Sequence, residues 1–99
     1  MSREAILALL KAALPDLRAR YGVLDLAVFG SVARNEAGPE SDVDILVEFE
    51  PGKPGGYFQF FNLQEDLQSR LNARVDLVTA GALKRQLRER ILAEAIHAA

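Results

Sequence analysis

Cysteine is absent from this chain of 99 residues, which excludes disulfides, a thiolate nucleophile and cysteine-ligated zinc. Long hydrophobic runs are absent too. No stretch approaches the roughly 20 apolar residues that a membrane-spanning helix needs. Met1-Ser2-Arg3-Glu4 leads into no apolar signal segment, so a cytoplasmic protein with no membrane contact is expected. Nor is there an excess of positive charge. Twelve Lys and Arg against fourteen Asp and Glu leave a formal net charge of -2, which gives no general attraction to phosphate backbones and speaks against direct nucleic-acid binding. A composition 49% hydrophobic and 26% charged is that of a globular protein. The length suits one small domain over residues 1–99, with no room for a second, acceptor-binding domain.

Periodicity and punctuation give the order of elements. Ser2 is a candidate N-cap ahead of Ile6, Leu9, Leu10 and Ala13, which recur at helical spacing up to Pro15. Asp16 to Tyr21 reads as a second, shorter helical piece that Pro15 either starts or kinks, and Gly22 ends it. Leu24 to Phe29 follows as an apolar strand that delivers Gly30 and Ser31 at its carboxyl end. Residues 32–41 read as one or two helical turns, stopped at Gly38-Pro39. From Asp42 to Glu50 the pattern has period two: Val43, Ile45, Val47 and Phe49 face the core, while Asp42, Asp44, Leu46, Glu48 and Glu50 face a largely polar side. A breaker-rich loop over residues 51–56 precedes an amphipathic helix from Tyr57 to Asn72, with Phe60, Leu63, Leu67 and Leu71 on its apolar stripe. A third strand spans Arg74 to Thr79. From Gly81 onward, Leu83, Leu87, Ile91, Leu92 and Ile96 space out as a closing helix with Lys84, Arg85, Arg88 and Arg90 on its exposed side.

These elements predict an α/β (α+β) domain with a three-stranded mixed sheet and helices packed mainly on one face. For Ser31 at the end of the first strand to meet Asp42 and Asp44 at the start of the second, those strands must run antiparallel. Asp76 lies near the start of the third strand, so the second and third should be parallel, joined by the Tyr57 to Asn72 helix.

The candidate chemistry follows from spacing. Two carboxylates at i and i+2 on a strand, Asp42 and Asp44, project from one face about 7 Å apart and can grip one metal cluster; Asp76 on the neighbouring strand adds a third. Oxygen ligands of this kind suit Mg²⁺, and phosphoryl-transfer sites hold two such ions about 3.5 to 4 Å apart. Glu48 faces the same side but lies six residues from Asp42, about 20 Å along the strand, and Asp25 is at the wrong end of the first strand. Ordinary turn and strand-edge chemistry is the plain alternative for an isolated Asp-x-Asp. Gly30 allows close backbone approach to a ligand, and Ser31 stands either as a phosphate contact or as the cap of a short helix.

Gly30-Ser31, ten residues, then Asp42-Val43-Asp44, with Val75-Asp76-Leu77-Val78 later, resembles the minimal nucleotidyltransferases of the DNA polymerase β superfamily, over nearly the whole chain. The resemblance implies a polymerase β palm-like fold and transfer of a nucleoside monophosphate, AMP from ATP as substrate, to a hydroxyl with two Mg²⁺ ions. Asp42, Asp44 and Asp76 would be the catalytic, metal-holding carboxylates, and Gly30 and Ser31 would bind the β and γ phosphates. Arg34 either reaches the same phosphates or pairs with Glu36 or Glu40. Asn35 stands where the family commonly has glycine, a change asparagine tolerates in left-handed backbone. The resemblance further implies an antitoxin whose partner and acceptor is a HEPN-domain toxin. The rival is an antitoxin that acts by binding alone, with a vestigial or regulatory triphosphate site; a stand-alone transferase acting on a small alcohol or an RNA end is the third reading.

Several features carry two readings each. Lys53 belongs either to a flap over the nucleotide or to a solvated turn. Tyr57, Phe58 and Phe61 make a partner surface or part of the core. The basic face of the last helix is solvated or meets an acidic partner or RNA. His97 is not expected to be a ligand.

Overall fold

Ser2 caps the first helix as its position predicts. In the computed structural model, which describes residues 1–38, 40–53 and 56–99, its Oγ accepts a hydrogen bond from the Ala5 N–H at 3.1 Å. Helix α1 then runs unbroken over Arg3–Tyr21, with Pro15 inside it. The expected pair of helical pieces is one helix. Leu10, Ala13 and Leu17 are buried on one stripe to either side of Pro15, whose ring faces solvent, so core packing carries the register across the missing N–H. Gly22, at φ 75°, closes the helix in the left-handed region.

Strand β1 (Val23–Phe29) leads directly into a single-turn helix, α2 (Gly30–Ala33). This turn begins two residues earlier than the sequence suggests and is over by Arg34. Asn35 then takes φ 60°, the left-handed conformation that asparagine tolerates. Strand β2 (Val43–Phe49) runs antiparallel to β1, with Phe29 opposite Asp44 and Val23 opposite Phe49. Helix α3 (Tyr57–Leu71) crosses to strand β3 (Val75–Thr79), which is parallel to β2 and sets Asp76 beside Asp44. The strand directions inferred from the need to gather the carboxylates are those observed.

The carboxyl end departs from expectation. Instead of one helix from Gly81 through Ile96, a short 3-10 turn at Ala80–Ala82 precedes helix α4 (Arg85–Glu94), and Ile96–His97 is a fourth strand, β4. It pairs antiparallel with β1 through Ala27 and Val28, and Ala98 N–H adds a 2.8 Å bond to the Leu26 carbonyl. The sheet therefore has four strands, in the order β3-β2-β1-β4. An edge of unpaired peptide groups along β1 is a strong acceptor for any nearby extended segment, and that tertiary opportunity outweighs the helical spacing of Ile96.

One sheet face holds the main core, where Ile45 and Leu26 meet Leu10 and Leu17 of α1 and Leu63 and Leu67 of α3. The other face is not only polar. Ala27, Phe29 and Leu46 are buried there beneath Ile91 of α4, so helices flank both faces while Leu87 and Leu92 remain exposed. No helix among the described residues is long and apolar enough to cross a membrane.

Candidate active site

Period-two alternation along β2 sends Val43 and Ile45 into the main core and Asp44 and Leu46 to the α4 side. The parallel register places Asp76 beside Asp44 on that face. The antiparallel register places Phe29 opposite Asp44, so the next residue, Gly30, turns over the carboxylate. Gly30 has φ 70°, and a Cβ built there would lie 2.1 Å from Asp44 Oδ2. Conformation favours glycine at this position, and any Cβ there would push the Asp44 carboxylate aside.

Asp44 is half-buried, and its pKa is raised. Burial is the largest cause, followed by repulsion from Asp76 and Asp42, with a smaller contribution from Glu94 and an opposing one from Arg34. Among the described residues none of Asp42, Asp44 and Asp76 forms an ion pair. Among the described residues no group of three acidic, histidine or cysteine side chains is drawn together closely enough to hold a metal ion as it stands. Asp44 and Asp76 side by side, with Asp42 near enough to repel Asp44, are all-oxygen, anionic donors of the kind that suits a hard divalent cation such as Mg²⁺.

Arg34 sits one turn beyond Ser31 and is held by two carboxylates, Glu36 at 2.9 Å and Glu94 at 3.1 Å. Glu40, the other partner considered, does not pair with it among the described residues. Glu94, from the end of α4, was not identified in the sequence. Its Oε1 also accepts the Gly30 N–H at 3.0 Å, and this bond, ahead of Arg34, holds its pKa below the usual glutamate range. A signal existed: an acid in the last turn of a helix opposes the macrodipole, so its presence there implies a partner elsewhere.

The residues set aside fall at the opposite end of the sheet. Glu48 pairs in register with Asp25, whose carboxylate contacts His97 Nδ1. The Lys53 stem packs over Gly22, where a Cβ would meet its Cγ at 2.5 Å, so the described part of that loop lies away from the carboxylates; Pro54 and Gly55 lie outside the described residues. Tyr57 and Phe58 are exposed, at 75% and 81%, and Phe61 at 44%. The burial alternative fails for all three. Arg85 and Arg90 are exposed, whereas Arg88 is half-buried.

Residues 10–98 match the nucleotidyltransferase domain family. A solved structure described as a minimal nucleotidyltransferase shares the fold with a TM-score of 0.79 at 42% identity, covering 97% of this chain and 95% of its own. The chain belongs to this family. The nucleotidyltransferase is also similar to protein adenylyltransferase MntA of Thermococcus cleftensis, 40% identical over 97 residues, which are 98% of this chain and 96% of that protein. A toxin–antitoxin structure with AMP-PNP shares the fold at 21% identity, with a TM-score of 0.72 over 90% of this chain and 72% of that one. As a nucleotidyltransferase, the chain is an enzyme that transfers a nucleotidyl group.

Proposed function

We propose that this nucleotidyltransferase moves AMP from ATP, with Mg²⁺, onto a hydroxyl of a partner protein, and that it is the antitoxin of a pair whose toxin is a HEPN-domain protein. The observation that carries the chemistry is the register of β2 and β3, which puts Asp44 beside Asp76 on one face with Gly30 closed over Asp44. The protein-acceptor reading rests on similarity to a relative named as a protein adenylyltransferase, and the antitoxin reading on fold neighbours described as toxin–antitoxin complexes.

In this reading Asp42, Asp44 and Asp76 would hold the metal, which when bound neutralises the triphosphate and acidifies the attacking hydroxyl. Asp76 stands at the acceptor side as ligand or base for that hydroxyl. Gly30 and Ser31 form the turn that would meet the β and γ phosphates, Gly30 by letting the backbone come close and Ser31 with its hydroxyl and N–H, where charge builds as pyrophosphate leaves. Arg34 supplies a cation that is already charged and already near Asp44. The atoms balance as a single displacement: the acceptor oxygen bonds to the α phosphorus, the bond from that phosphorus to the bridging oxygen breaks, and the hydroxyl proton leaves through a base.

The test is to incubate the enzyme and the product of its neighbouring gene with Mg²⁺ and each nucleoside triphosphate, then to measure the intact mass of both proteins. A gain of one or more AMP units on the partner from ATP, lost with Asp42→Asn or Asp44→Asn, supports the reading. Neutralisation of toxicity by those variants, with no mass change from the wild type, would establish binding alone as the mechanism.

A further inference from the structure

The carboxyl end of the chain returns to the Gly-Ser turn in a way no feature of the motif requires. Strand β4 pins Ile96 to Val28 of β1, one residue before Phe29 and two before Gly30. That pairing fixes the end of α4 and places Glu94, two residues upstream of Ile96, against the turn. One oxygen of Glu94 accepts the Gly30 N–H at 3.0 Å, and both oxygens take the Arg34 guanidinium, at 3.3 and 3.1 Å. Glu94 is 22% exposed at its side chain, and Arg34 is 41% exposed. An arginine this open has many rotamers of similar energy in water; two carboxylates reduce them to one.

Resting on the nucleotidyltransferase reading of this site, we propose that Glu94 is a positioning residue for the triphosphate. It acts through its two neighbours. By holding the Gly30 N–H, it keeps the turn at the left-handed geometry that seats Gly30 over Asp44 Oδ2, and by holding Arg34 it keeps a cation on the side of the phosphate-binding turn. Neither effect involves contact with the reacting atoms, so the consequence falls on nucleotide affinity more than on the chemical step.

Two variants separate the contacts. Glu94→Gln retains an oxygen for the Gly30 N–H and loses the charge that holds Arg34; Glu94→Ala loses both. The assay is AMP transfer to the partner across a range of MgATP concentrations, with nucleotide binding measured separately by calorimetry and folding by thermal melting. Glu94→Ala is expected to raise the KM and Kd for MgATP about tenfold, as loss of hydrogen bonds to a charged group implies, with kcat within about threefold of wild type. Glu94→Gln should recover a substantial part of that loss. A scaffold role would instead lower the melting temperature while leaving KM unchanged in the folded fraction. Unchanged KM in Glu94→Ala overturns the proposal. So does a lower KM, which would mean that the carboxylate competes with the triphosphate for Gly30 and Arg34. If wild-type protein neither binds MgATP nor transfers AMP, the functional reading fails and the proposal with it, a result distinct from a normal wild type with an indifferent Glu94.

Discussion

Gly30 shows how much chemistry one position without a side chain can decide. Its φ of 70° and the 2.1 Å separation between a built Cβ and Asp44 Oδ2 impose two independent penalties on an alanine there. Gly30→Ala should destabilise the protein by about 1 to 2 kcal/mol from backbone strain alone, measurable by urea denaturation. It should also cut transfer at least about a hundredfold, because Asp44 must move aside and, in its proposed role as metal ligand, its displacement forfeits several kcal/mol of transition-state stabilisation. Asp44 itself makes a pH prediction. Its folded-state pKa is raised, so the folded protein holds that proton more tightly than the unfolded chain does. Stability without metal should therefore fall as pH rises from the ordinary aspartate value, about 3.9, through the raised one. Asp44→Asn should raise the melting temperature of the metal-free protein at neutral pH while abolishing transfer, a pairing that separates a functional carboxylate from a structural one.

At the scale of elements, the scaffold and the site separate cleanly. Leu67 in α3 is fully buried in the main core, on the sheet face opposite Asp44. Leu67→Ala should cost about 2 to 4 kcal/mol in unfolding free energy, yet leave KM and kcat near wild type at temperatures where the variant remains folded. Strand β4 should behave differently. A chain ended at Ala95 loses the Ile96 and His97 pairing, the Ala98 bond to Leu26 and the burial of Ala98, a loss of about 2 to 3 kcal/mol from burial and hydrogen bonds together. Because β4 also anchors Glu94, its removal should raise KM for MgATP even when the protein is folded. The helix pattern that carried Ile96 in the sequence was real as spacing, but a two-residue strand leaves no periodic trace. Only the vacant edge of β1 reveals where those residues go.

Across the whole molecule, carboxylates gather at one end of the sheet on the α4 side, while the basic residues of α4 lie largely exposed at Arg85 and Arg90. With the metal held as proposed, this charge distribution would make folding and metal binding favour each other. A cation that binds the folded state alone stabilises it by mass action. Adding Mg²⁺, with or without ATP, should raise the melting temperature of wild type, and the response should vanish in Asp44→Asn. Raising ionic strength with a monovalent salt should raise the metal-free melting temperature slightly, since screening weakens the repulsion among partly exposed carboxylates.

The local pattern of the chain was enough to determine the Ser2 cap, the Gly22 stop, the two-residue alternation of β2 and the directions of the first three strands, though not the second core that buries Leu46 beneath α4. Each follows from short-range geometry or from the single requirement that Gly30, Asp42, Asp44 and Asp76 converge. The tertiary structure decided the rest. It kept α1 continuous through Pro15 because buried leucines on both sides outweigh one missing hydrogen bond. It turned Ile96 and His97 into a fourth strand because β1 had an open edge, and it brought Glu94 to Gly30 and Arg34 across 64 and 60 residues of chain. Contacts of that separation depend on where whole elements pack, and spacing along the sequence carries no record of them.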